Sequence, residues 1–266
     1  MSILVNGKEI ESFNFPAGEC YVAVSPPLIT PQTSVVANLH RSDDIIALIL
    51  TIDAIRRVLP SVKIDLHIPY FPYARQDRVC NQGESLSVKV MADLINNLHC
   101  EQVTIVDPHS DVTPALLHNC QVITQADIFS NSSLRDELVK DNWILIAPDG
   151  GAEKKTLAVA KRLGIPKVFC AQKIRDTKTG KILTTTFHDD VKGQNVLIVD
   201  DICDGGKTFI ELGKLLRQKE ASLICLYITH GIFSHGLDVL RPYFHRIYCY
   251  HTRLSLFDTD FLSILS

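Results

Sequence analysis

The chain has 266 residues, of which 46% are hydrophobic and 21% charged, and its formal net charge is −3. That length suffices for one large domain or two of ordinary size, and the composition excludes a disordered or fibrous chain. Slight acidity without a long basic run removes the electrostatic footprint of a general nucleic-acid-binding surface, so no nucleic acid is expected as a partner.

The first residues, MSILVNGK, form neither a basic leader nor a signal-length apolar stretch, and no segment reaches ~18 uninterrupted apolar residues. A cytoplasmic protein with no membrane partner is expected. Over 43–59, helical spacing puts Ile45, Leu48, Ile49, Ile52, Ile55 and Leu59 on one stripe. Over 87–98 it does the same for Val90, Met91, Leu94, Ile95 and Leu98. Short β-branched runs predict strands over 64–68, 102–107, 143–147, 168–170, 196–200, 223–228 and 246–250, and further helices are expected over 153–163 and 207–219. This alternation is the pattern of an α/β protein whose mostly parallel sheets are flanked by helices. No periodicity crosses Ser130-Asn131-Ser132-Ser133, so the halves are expected to be 1–129 and 130–266. The eight cysteines are scattered with no CxxC pair, as buried free thiols would be.

Three segments concentrate chemistry. Val196-Leu197-Ile198-Val199-Asp200-Asp201 is an apolar strand ending in acids, followed by Asp204-Gly205-Gly206-Lys207-Thr208 turning into a helix. Backbone N–H groups at such a turn suit a phosphate, and paired acids suit a sugar diol or hydrated magnesium. The GxxxxGK[ST] spacing of a Walker loop is absent. Second, Tyr70-Phe71-Pro72-Tyr73-Ala74-Arg75-Gln76-Asp77-Arg78 leaves a strand with two arginines and a glutamine, suited to clamping a polyphosphate. Third, Asp107-Pro108-His109 and Pro148-Asp149-Gly150-Gly151 put a histidine and an acid at two strand ends, where a shared metal site is the expectation.

Together these segments resemble the ribose-phosphate pyrophosphokinases, also called phosphoribosyl pyrophosphate synthetases, in order from about Phe15 to Leu254. The YFPYARQDR run is the most specific of them. The 42–57 segment, Thr229-His230 and Ile232-Phe233-Ser234 match as well. The resemblance implies two phosphoribosyltransferase-like domains, an N-terminal ATP-binding one and a C-terminal one with the ribose-phosphate loop. It also implies an activity: the β,γ-diphosphate of ATP passes to the anomeric hydroxyl of ribose 5-phosphate, giving AMP and phosphoribosyl pyrophosphate, with Mg2+ as cofactor.

By the same resemblance, Arg75, Gln76 and Arg78 would hold ATP, while Phe15 and Glu19 would meet its adenine from a neighbouring subunit of a homo-oligomer. His109 and Asp149 match magnesium-binding positions, with His109 also counted among the catalytic residues. Asp200, Asp201, Asp204, Gly205, Gly206, Lys207 and Thr208 match the ribose-phosphate site, and Lys173 and Arg175 match a mobile catalytic loop.

Some positions depart from the family pattern. Fourteen residues precede Phe15, so most of the family's first strand and helix are expected to be missing, as is its last strand and helix. Ala17 replaces an acid that usually helps to hold the nucleotide. Gly205 replaces a threonine and Lys207 adds a cation, which implies a wider, more cationic pocket. ADP-ribose, which presents the same anomeric hydroxyl, is therefore a rival acceptor for NAD salvage. The resemblance also leaves open a non-catalytic, synthetase-associated regulator and a phosphoribosyltransferase that consumes the activated sugar.

Overall fold

The structure, a computed structural model, describes residues 2–141, 143–175, 182–255 and 258–265. Contacts divide the chain into two units, Met1–Ile123 and Thr124–Ser266.

In the first unit, strands β1 (Ser2–Val5), β2 (Lys8–Glu9), β3 (Glu11–Asn14), β4 (Cys20–Ala23) and β5 (Gln32–Asn38) precede helix α1 (Ser42–Val58). Then follow β6 (Lys63–Ile68), α2 (Ser87–Asn96), β7 (Gln102–Val106), α3 (Val112–Leu116) and β8 (Cys120–Ile123). The main sheet runs β2-β1-β5-β6-β7-β8, with β5 to β8 parallel and β1 antiparallel to both its neighbours. The β3–β4 hairpin stands apart and packs on α1 through β4.

The α1 stripe is core: Ile45, Leu48, Ile52 and Ile55 are buried, each such side chain contributing roughly 1.5–3 kcal/mol by leaving water. Asp44 accepts the His40 and Arg41 N–H groups and so closes the first turn. On α2 the buried side is Val88, Met91, Ala92 and Ile95, whereas Val90 and Leu94 are exposed. The expected stripe is therefore rotated by roughly a quarter turn about the helix axis, toward Val88 and Ala92.

The second unit begins with α4 (Gln125–Asn131), α5 (Leu134–Lys140), β9 (Ile144–Ala147), α6 (Gly150–Leu163) and β10 (Val168–Cys170). It continues with β11 (Gln172–Arg175), β12 (Ile182–Thr186), β13 (Val196–Cys203), α7 (Lys207–Gln218), β14 (Ile224–Gly231), β15 (Arg246–Thr252) and β16 (Leu262–Ile264). Its sheet, β10-β9-β13-β14-β15-β16, is parallel throughout, and β11 and β12 form a separate antiparallel hairpin. All eight residues of β14 are buried, as a strand covered on both faces requires.

The contacts change units between Ile123 and Thr124, six residues before the expected boundary, because α4 belongs to the second unit and takes in Ser130 and Asn131 of the polar stretch. Thr124 and Asp127 cap α4 reciprocally. Arg162 of α6 holds the helix through Ser130 at 3.0 Å, and Phe129 packs on Tyr227 at 4.3 Å between ring centroids. Helix α6 starts three residues earlier than its apolar pattern, at the Asp149 cap, and ends at Gly164, whose φ of 71° only glycine adopts freely. All eight cysteines are free; Cys100, Cys203, Cys225 and Cys249 are buried as expected, Cys20, Cys120 and Cys170 are half-buried, and Cys80 is exposed because it sits in the polar turn that Glu84 organises. No helix among the described residues is long and apolar enough to cross a membrane.

Candidate active site

In a parallel sheet, loops at the C-terminal strand ends carry the chemistry. In the second unit, three adjacent strands, β9, β13 and β14, deliver their ends side by side. Asp149 follows β9, and its Oδ1 accepts the N–H groups of Gly151 at 2.9 Å and Ala152 at 3.2 Å, which fixes the carboxylate at the mouth of α6. Asp200 and Asp201 lie within β13, which runs three residues beyond the expected end. Asp201 is buried, and Lys155 of α6 reaches its Oδ2 at 3.3 Å. Sequence reading missed Lys155; one lysine in a charged helix carries no signal until the fold sets it against β13.

Desolvation at the strand end holds the Asp200 carboxyl well above the usual carboxylate range. The charge of Asp201 adds to this, while the Asp201 N–H donated to Asp200 Oδ1 at 2.9 Å opposes it. The unfolded chain releases this proton at lower pH than the folded one. The fold therefore loses stability as pH rises from the ordinary carboxylate value through the raised one. Asp200→Asn is expected to raise the thermal midpoint at pH 7 and to leave it unchanged near pH 4. A lower midpoint at pH 7 in scanning calorimetry would contradict that origin.

The loop 204–208 follows directly. Gly206 has φ 78° and forms the α7 N-cap, with no side chain capping the helix among the described residues. Against this loop sits the turn that leaves β14. Ile232 and Phe233 donate their N–H groups to Cys203 O (2.9 and 3.1 Å), and Ser234 donates to Asp204 O (3.2 Å). The THGIFS run, which carries no chemistry as a sequence, is thus a backbone clamp on the glycine loop. Gly231 is obligatory in it: a β-carbon there would stand 2.1 Å from Phe233 Cε2.

Lys173 and Arg175 fall on β11, opposite Thr185 and Ile182 of β12. Their side chains, and residues 176–181 of the expected catalytic loop, lie outside the described residues. The β12 base is fastened to α7, with buried Thr185 donating its hydroxyl to Glu211 Oε2 at 2.9 Å.

In the first unit, the segment after β6 exposes Arg75, Gln76 and Arg78. Its backbone is fixed by Tyr73 at φ 61°, by Gln76 N–H to Tyr73 O (2.9 Å) and by Val88 N–H to Gln76 O (3.3 Å). Arg78 Nε, on an exposed side chain, lies 3.5 Å from the largely covered Asp77 carboxylate. His109 is exposed after the neighbouring strand β7, beyond buried Asp107 with its left-handed φ of 39°. This backbone strain at a strand end is typical of functional positions. Phe15 and Glu19 sit at the tip of the β3–β4 hairpin, closed by Phe15 N–H to Glu19 O at 2.8 Å. Phe15 belongs to an exposed aromatic cluster, 5.1 Å from Phe13 and 6.1 Å from Tyr21 between centroids.

The structure therefore gathers Asp149, Asp200, Asp201 and the loop 204–208 in one unit. It sets the arginine segment and His109 on neighbouring strand ends of the other.

Among the described residues, no group of three or more His, Cys, Asp or Glu side chains is arranged to hold a metal ion. Magnesium arriving on nucleotide phosphates needs only one or two protein oxygens, and the Asp149 carboxylate has that hard-oxygen chemistry.

Comparison with known proteins adds independent findings. The model of the N-terminal domain of ribose phosphate pyrophosphokinase matches residues 2–98, and that of the phosphoribosyl transferase domain matches residues 117–245. A ribose-phosphate pyrophosphokinase of Thermococcus kodakarensis is 34% identical over 231 residues, covering 86% of this chain and 79% of the relative. One from Pyrococcus furiosus is 32% identical over 234 residues, covering 85% and 79%. The crystal structure of phosphoribosylpyrophosphate synthetase from Mycobacterium smegmatis superposes with a TM-score of 0.80 at 20% identity. It covers 96% of this chain and 85% of that one, and shows the same fold.

Proposed function

Since the chain belongs to the ribose-phosphate pyrophosphokinase family, we propose that it transfers the β,γ-diphosphate of ATP to the anomeric hydroxyl of ribose 5-phosphate. The products are AMP and phosphoribosyl pyrophosphate. The observation that carries this reading is the convergence of Asp200, Asp201 and the clamped glycine loop on adjacent strand ends of one sheet.

Asp200 and Asp201 accept the hydroxyls of the ribose, and the N–H groups of residues 205–208 donate to its 5′-phosphate. Arg75, Gln76 and Arg78 hold the triphosphate of ATP, and Phe15 and Glu19 meet the adenine from a second copy of the chain. Magnesium arriving on the ATP phosphates would take the Asp149 carboxylate as a protein ligand, with His109 at the other position that the family resemblance implies, and would supply neutralisation of phosphate charge. Lys173 and Arg175 close over the transferring group and stabilise the charge that develops on its equatorial oxygens. The C1 hydroxyl oxygen attacks the β-phosphorus and releases its proton to solvent, the bond from the β-phosphorus to the α,β-bridging oxygen breaks, and AMP leaves with that oxygen.

A second acceptor, ADP-ribose, is favoured by exposed Lys207, which adds a cation beside the loop for a second phosphate; the wider pocket expected from Gly205 is not there, because His235 packs where its side chain would stand. Purified protein with ATP and magnesium, offered each acceptor in turn and followed by mass, separates the readings. AMP and a sugar product heavier by one diphosphate are expected with ribose 5-phosphate. AMP formed only with ADP-ribose would replace the acceptor, and AMP with neither would leave a non-catalytic regulator.

A further inference from the structure

We propose that His235 is a binding residue for the phosphate end of the acceptor, a role that rests on reading the loop 204–208 as the acceptor-phosphate site. A β-carbon at position 205 would stand 3.1 Å from Cε1, 3.2 Å from Nδ1 and 3.8 Å from Nε2 of His235. The imidazole therefore lies against the bare backbone of the loop, its Cε1 and Nδ1 atoms nearest, in the space that a side chain on residue 205 would fill. The neighbouring position is filled differently: a β-carbon at Gly206 would meet the Leu240 side chain at 3.0 Å. One flank of the loop is thus sealed by an apolar side chain, and the other carries an imidazole.

The ring is held there by the backbone on either side of it. The turn bearing His235 is tied to Cys203 and Asp204 by the three hydrogen bonds of residues 232–234, and Gly236 N–H closes it onto Phe233 O at 2.8 Å. A structural explanation of the histidine is weak. The residue is exposed, and among the described residues its ring makes no hydrogen bond or ion pair. Whatever its tautomer or charge, an imidazole presents at least one N–H. A phosphate seated on the loop N–H groups would bring an oxygen within reach of it. Lys207 offers charge from a long exposed stem, whereas His235 offers a donor whose backbone is already fixed, so less freedom is lost on binding.

The test is calorimetric titration of the full chain and of His235→Ala and His235→Gln with ribose 5-phosphate, repeated with ADP-ribose, alongside acceptor and ATP kinetics. The expected result is an acceptor Kd and KM raised about tenfold in His235→Ala, the size of one hydrogen bond to a charged group. His235→Gln, which keeps a donor, should recover most of it, with kcat and the ATP KM within about twofold of the parent. An unchanged Kd in His235→Ala, or equal losses in both variants, would overturn the inference. Binding without AMP formation in the parent would overturn the proposed reaction and leave the ratio of Kd values to decide on His235. Parent protein that binds neither acceptor would overturn both.

Discussion

Lys173→Ala is expected to lower kcat by about 10³-fold while leaving the KM for ATP within about threefold. Phosphoryl transfer asks little covalent chemistry of a protein; catalysis is positioning and charge stabilisation, and the charge to be stabilised grows on the equatorial oxygens of the moving group. A cation that meets those oxygens only as the reaction proceeds contributes to kcat and not to ground-state binding. Lys173 sits on a hairpin outside the main sheet, whose β12 base is pinned to α7 through Thr185 and Glu211. The hairpin is thus tied to the helix whose N-terminus carries the glycine loop. Single-turnover AMP formation, with thermal unfolding to establish that the variant is folded, checks the expectation. A rise in the ATP KM at unchanged kcat would make Lys173 a nucleotide-binding residue and remove it from the stabilisation of the transferring group.

Gly231→Ala should destabilise the fold by about 3 kcal/mol, the upper range for forcing extra atoms into a packed interior. The added carbon would stand 2.1 Å from Cε2 and 2.7 Å from Cζ of Phe233, a ring only 2% exposed whose own backbone is left-handed at φ 47°. Neither partner can yield without moving the 232–234 turn and its hydrogen bonds to Cys203 and Asp204. Acceptor affinity should therefore fall along with stability. Phe233→Ala removes the obstacle but opens a cavity, so the double variant should cost less than the sum of the two singles in denaturant unfolding. Strict additivity would mean that the two residues do not meet.

What the sequence makes legible follows from burial. Strands β13, β14 and β15 read clearly because sandwiched parallel strands must be continuous apolar runs. Strand β5 escaped because its alternation, with Thr33, Val35 and Ala37 inward, includes a threonine and an alanine that a search for β-branched apolar runs passes over. The hairpins β3–β4 and β11–β12 are short and lie off the main sheets, so they carry little hydrophobic signal. Helix α4 hid because it ends in Ser130 and Asn131 of the polar stretch, although Thr124 and Asp127 at capping-box spacing mark its start.

The acids and glycines of the site were legible because strand-end carboxylates and a glycine loop before a helix are local patterns. Lys155 on Asp201, the Gly231–Phe233 fit, His235 on Gly205 and Thr185 on Glu211 were not. Except for Gly231 and Phe233, each pairs residues 26 or more positions apart, which only the closed sheet and its helices bring together.

Ribose 5-phosphate carrying ¹⁸O at C1, incubated with ATP and magnesium, tests the central assignment most directly. The account predicts that the label bridges C1 and the new diphosphate and that AMP is unlabelled, because the sugar oxygen is the nucleophile at the β-phosphorus. Label in AMP, or ADP with a singly phosphorylated sugar in place of AMP and the diphosphate, would contradict it.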